Sequence, residues 1–159
     1  EDYNGTGTQA PGMSFGNVGP LYFGPAIGPG DQVYPDIYTI TPIDLYAFGN
    51  TSGPRGARAG IDLFPDENGV VNPDFAPFKN GASAWADPIQ SGLNGLYYKL
   101  EAGTPLPSGI GVQANGSDLY PSSKNPPGHF SFVPTLPQTF DQFQAAFRGL
   151  PWEPAGRIR

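Results

Sequence analysis

The chain has one histidine and no cysteine, which leaves few places for chemistry to sit. His129 opens the run GHFSFVP, and a lone imidazole at a strand start is either a functional group or a satisfied core or surface residue. Without cysteine there is no thiol nucleophile, thiolate ligand or disulfide, and a single histidine leaves zinc sites of the usual kind without ligands. Ser83 is a candidate hydroxyl, but Gly81-Ala-Ser-Ala-Trp85 lacks the second glycine of a nucleophile elbow, which weighs against Ser-His-Asp hydrolysis. Asp62, Asp66 and Glu67 lie close in sequence yet miss the EF-hand spacing, so no metal is expected. Glycoside hydrolysis by paired carboxylates needs a set separation, and nothing in the sequence sets one. The glycines from Gly24 to Gly30 resemble a phosphate cradle, but no helix pattern follows them.

The elements that must position these residues are short. DIYTITPIDLYAFGN (36–50) reads as strand, proline break, strand, ending at Gly49-Asn50. Asp66-Glu67-Asn68-Gly69 is a turn signal before a strand resumes at Val70 and Val71. In GLYYKL (95–100) the side chains of Leu96, Tyr98 and Leu100 share one face, with Tyr97 and Lys99 on the other. A further strand is expected over 110–113. Beyond it, His129, Ser131 and Val133 share one face of a strand, and Phe130 and Phe132 the core face. Thr139 and Gln142 have capping-box spacing, and Phe140, Phe143, Phe147 and Leu150 form one helical stripe that Gly149 and Pro151 bring to an end. This terminal helix is expected to pack its phenylalanines on the sheet and leave His129 facing the opposite side.

Composition bounds the rest. A length of 159 residues fits one domain with a real core. With 23 glycines and 20 prolines the chain approaches low-complexity composition, but 11 Phe, 8 Tyr and 2 Trp spread along it supply enough buriable area for a loop-rich fold. Residues 1–36 read as an extended arm pinned by Tyr3, Phe15, Tyr22, Phe23 and Tyr34, or as a partly disordered tail. The formal charge is -6 and the eight cations form no basic run, which argues against nucleic acid as a partner. No apolar run is long enough for a membrane span. The start at Glu1 suggests a processed product. The sequons Asn4-Gly-Thr, Asn50-Thr-Ser and Asn115-Gly-Ser add an expectation of secretion, although each also reads as an ordinary turn.

The segments LYAFGN (45–50), RGARAGIDLFPDENGVV (55–71), NGASAW (80–85), GLYYKLEAGTPLPSGIGV (95–112) and GHFSFVP with FDQFQAAFRGLPW after it stand in a telling order. Together they resemble the blocks of type VI secretion effector toxins with an ADP-ribosyltransferase-like fold, and of their fungal relatives. The resemblance covers roughly residues 44 to 152. It implies an α+β fold with a split, twisted antiparallel sheet, a C-terminal helix and many Gly/Pro-rich loops, over residues 37–159. It also implies a secreted toxin that grips NAD at a central cleft, cleaves the nicotinamide N-glycosidic bond and passes ADP-ribose to a macromolecular acceptor, with a neutralising partner protein.

By the same resemblance Tyr46, Ser83 and His129 map to the catalytic positions. Breaking the bond to nicotinamide develops positive charge on the ribose, so acceptors are needed near that carbon and aromatic surfaces near the nicotinamide. Tyr46, Trp85 and Tyr98 are the candidate platforms, and Arg55 and Arg58 the candidate partners of the pyrophosphate. Two departures bear on the reaction. Ala47 stands where relatives often carry an arginine, and no E-x-E or Q-x-E lies near the late strand. An NAD glycohydrolase and a non-catalytic binding domain are the alternative readings.

Overall fold

The computed structural model describes residues 37–74 and 81–159. The chain divides into two units, Glu1–Thr39 with Phe75–Pro77, and Ile40–Asp74 with Phe78–Arg159. Of the first, Ile37–Tyr38 is a two-residue strand, and the arm expected over 1–36 lies outside the described residues. The second unit carries the candidate residues.

Its elements are β1 (Leu45–Asn50), β2 (Gly53–Pro54), β3 (Val70–Val71), β4 (Ala82–Trp85), β5 (Gly95–Leu100), β6 (Ile110–Ala114), β7 (His129–Pro134), β8 (Gln138–Thr139), α1 (Phe140–Arg148) and β9 (Glu153–Ile158). The main sheet runs in the order β9-β5-β1-β4-β7-β6, with β2 folded back on β1, and β3 pairs β8 separately. Each of these pairings is antiparallel. The unit is thus an antiparallel sheet with one helix near its C-terminal end, an α+β arrangement. Among the described residues no helix is long and apolar enough to cross a membrane.

Alternation along the strands builds one apolar face. Phe130 and Phe132 on β7 oppose Ala84 and Ala82 on β4, and Ala114 and Val112 on β6. The small residues leave room for large rings. Phe143 and Phe147 of α1 are fully buried, and Phe147 meets Phe132 and Trp152 with ring centroids 5.1 Å and 5.2 Å apart. The indole nitrogen of Trp152 donates to the Phe147 carbonyl, which satisfies its polar end inside the cluster. Thr139 and Gln142 form the expected capping box, so the helix starts where its spacing said it would. Phe140, at the first turn, is only half-buried.

The helix is not the last element. β9 follows it as an edge strand on β5, with a bulge between Pro154 and Gly156. Gly156 lets the Tyr97 ring lie close over the bulge, since a Cβ there would come within 2.8 Å of the Tyr97 hydroxyl oxygen and the ring would have to shift.

The helix also holds a loop. The Gln144 side chain accepts from the Ala57 amide at 2.9 Å and donates to its carbonyl at 3.0 Å, a two-bond clasp across the segment that carries Arg55 and Arg58. Further on, Asp66 accepts from the amides of Asn68 and Val70, which sets the turn into β3. The Phe140 amide donates to the Gly69 carbonyl, so this turn abuts the start of the helix.

The opposite face of β7 is unusual. His129, Ser131 and Val133 are 3%, 0% and 1% exposed, so the strand is buried on both sides. Buried polar groups have to be hydrogen-bonded, and tracing their bonds leads to the site.

Candidate functional site

Strand register places the polar residues in rows. Tyr46 on β1 lies opposite Lys99 on β5 and Trp85 on β4, and Trp85 lies opposite His129 on β7. The row ends at Asn115, just beyond β6, whose amide donates to the His129 carbonyl at 3.1 Å. Directly opposed residues on antiparallel strands share a face, so Tyr46, Trp85 and His129 occupy one surface. Ser83, two residues before Trp85, shares it as well and stands opposite Ser131.

Within this surface a hydrogen-bond chain runs through the imidazole. The Ser83 hydroxyl lies 3.1 Å from His129 Nε2, and Asn115 Oδ1 lies 2.6 Å from His129 Nδ1. At the far end Asn115 Nδ2 donates to the Ser131 hydroxyl at 3.0 Å. Ser83 is the half-exposed end of the chain, and His129, Asn115 and Ser131 are its buried part. Trp85, 6% exposed, sets its ring edge-on to the imidazole, with centroids 4.5 Å apart. Burial pushes the His129 imidazole down to about 4, against an upward pull from Asp62. At neutral pH the ring is therefore uncharged, with one nitrogen a donor and the other an acceptor.

The chain has the order of nucleophile, base and orienter, but Ser83 lies within a flat strand rather than on a strained turn. The lowered basicity of the imidazole weakens it further as a base. What the arrangement does well is hold a partly exposed hydroxyl in one orientation, beside a neutral ring.

The remaining expected residues fall in different places. Tyr46 is half-buried and meets Tyr97 edge-on at 5.9 Å. Trp85 is a wall of the histidine slot and not an open stacking platform. Tyr98 is on the opposite face from the site, since it pairs with Ala47 while its neighbours Tyr97 and Lys99 take the face of Phe48 and Tyr46. Its hydroxyl donates to the Asn50 carbonyl. Arg55 is exposed and borders a hollow of about 220 Å³ beside Phe48, Asn50 and Asn94.

Arg58 is turned toward its own loop. Its Nε and Nη2 donate to Asp62 at 3.0 Å and 3.2 Å, and its amide donates to the same carboxylate. The hydrogen bonds and charge of Asp62 hold the guanidinium above its ordinary value. Asp62 and Asp66 are thus both occupied by their own loops, and among the described residues no group of three His, Cys, Asp or Glu is placed to hold a metal ion.

Asn115 was visible in the sequence only as a sequon. It is fully buried, with both ends of its side chain bonded, so the folded chain offers no glycan acceptor there. The signal that could have found it is alternation: extending β6 by one residue puts Gln113 and Asn115 on the face of Ser131 and His129. No family model, curated protein or solved structure matches the chain.

Proposed function

We propose that this chain is a secreted effector with an ADP-ribosyltransferase-like fold that binds NAD over the surface of Tyr46, Ser83 and His129. It cleaves the bond between nicotinamide and ribose and passes ADP-ribose to a macromolecular acceptor. The reading rests on the ordered sequence blocks described above. The observation that carries it is the 3.1 Å approach of the Ser83 hydroxyl to His129 Nε2, in a row that also holds Tyr46.

The chemistry suits such a site. When the glycosidic bond breaks, its electron pair leaves with nicotinamide, which departs neutral, and positive charge grows on the ribose. A cationic residue beside that carbon would oppose the step, whereas a neutral imidazole and a hydroxyl oxygen do not. Arg55, exposed beside Phe48, is available to phosphate oxygens, and Arg58 would need its fork released from Asp62.

One observation favours water as the acceptor instead. The carboxylate whose charge reaches His129 is Asp62, and Arg58 already engages it, so this acid is not free to orient an incoming nucleophile.

The test is nicotinamide release from NAD by the pure protein, with ADP-ribose followed into cell-extract proteins or into solution. Turnover that disappears in Ser83→Ala, in protein of unchanged fold, supports the assignment. Label on a protein identifies a transferase, and free ADP-ribose a glycohydrolase. No release at high protein concentration, together with no shift of Ser83 or Tyr46 resonances on adding NAD, overturns the reading.

A further inference from the structure

We propose that Asn115 is the positioning residue of this site: anchored on Ser131, its amide holds His129 as the Nδ1–H tautomer, so that Ser83 gives its proton inward to Nε2 and meets a ligand only as an acceptor. The ligand half of this inference rests on the NAD reading. The tautomer half stands on the hydrogen bonds alone.

The direction of the chain follows from the orientation of the Asn115 amide. Its Nδ2 donates to the fully buried Ser131 hydroxyl at 3.0 Å, and its Oδ1 lies 2.6 Å from the imidazole. A carbonyl-type oxygen only accepts, so Nδ1 carries the hydrogen. Nε2 is then a lone pair, and the 3.1 Å contact to Ser83 is made by the serine hydrogen. The outward side of Ser83 presents lone pairs. Such an oxygen receives a ligand hydroxyl or faces a carbon gaining positive charge, and it repels phosphate oxygens. The anionic part of a ligand must therefore lie away from Ser83.

Asn115 is built to hold this position. Its amide donates to the His129 carbonyl, and its own carbonyl accepts from Ser123 Oγ at 3.0 Å and Asn125 Nδ2 at 3.4 Å. The next residue, Gly116, leaves no room for a side chain: a Cβ would lie 2.7 Å from the Pro126 carbonyl oxygen and 2.8 Å from the His129 amide nitrogen. The loop after β6 is thereby pressed onto the start of β7. Asp62 is the charged group whose field reaches the ring.

The lone histidine makes the test direct, because its two nitrogens give one set of ¹⁵N signals without assignment ambiguity. Wild-type protein at neutral pH should show Nδ1 protonated and Nε2 bare. Ser131→Ala removes the anchor of the Asn115 amide at almost constant volume, and should give a mixture of tautomers. It should also lower kcat for nicotinamide release on the order of tenfold, with little change in KM, by analogy with the loss of the outer partner of a metal-bound imidazole. Asn115→Asp keeps the shape and should raise the His129 midpoint by about one pH unit or more, since a carboxylate then accepts from Nδ1.

Wild-type protein with Nε2 protonated overturns the proposal, as does Ser131→Ala with wild-type tautomer and kcat. If the wild type releases no nicotinamide, the NAD reading falls. The nitrogen signals still decide the role of Asn115.

Discussion

His129 makes folding sensitive to acid by an amount that its burial sets. In the unfolded chain an imidazole titrates near its ordinary 6.5, and in the folded protein burial lowers this to about 4. Above the unfolded value both states are neutral and the ring adds no pH dependence. As pH falls from about 6.5 toward about 4, the unfolded state binds the proton first, and stability is lost across that window. The full loss is about 3 kcal/mol, with about 2 kcal/mol gone by roughly pH 5. Comparing wild type with His129→Gln by urea denaturation at about pH 7 and about pH 5 isolates the imidazole: the wild type should lose about 2 kcal/mol more than the variant. A proton NMR titration of the same ring gives the folded midpoint independently, from a single resolved signal. A midpoint near 6.5, or equal losses in the two proteins, would refute the argument that the ring is held neutral in a buried slot.

Three other perturbations test the frame around the site. Phe147→Ala empties a fully buried position between Phe132 and Trp152, and should cost about 3–5 kcal/mol in thermal or chemical unfolding. Gly116→Ala forces a Cβ against the backbone of Pro126 and His129, and should cost about 1–3 kcal/mol while moving the His129 ring signals, both measurable on one sample. Thr139→Ala removes the helix cap and should lower stability by about 1 kcal/mol in a thermal melt, with nicotinamide release unaffected at temperatures where the protein stays folded.

What the sequence made legible was local. The alternation in GLYYKL and GHFSFVP named the faces of β5 and β7, and T-x-x-Q with the phenylalanine stripe located α1, because these signals repeat over a few residues. Four features depended on pairing across the chain and were hidden. β9 carries Pro154 and Gly156, which mask a strand signal, and it exists through its register with β5. Asn115 meets a ring 14 residues away, and N-G-S gave no sign that its side chain turns inward. Tyr98 was rightly grouped with Leu96 and Leu100, but which face of the sheet held Ser83 and His129 was not readable from β5 alone. Burial of β7 on both sides was likewise beyond a pattern that marks one face polar.

The edge strand has a consequence for how the molecule behaves at high concentration. A sheet margin invites a neighbouring chain to add its own strand and start a fibre. Among the described residues β9 forms this margin, and it counters the invitation three times: Pro154 removes a donor, the bulge before Gly156 bends the line of partners, and Arg157 adds charge. Smoothing it, for example by Pro154→Val with Arg157→Val, should raise thioflavin binding above that of the wild type at equal concentration, with the interior of the fold untouched.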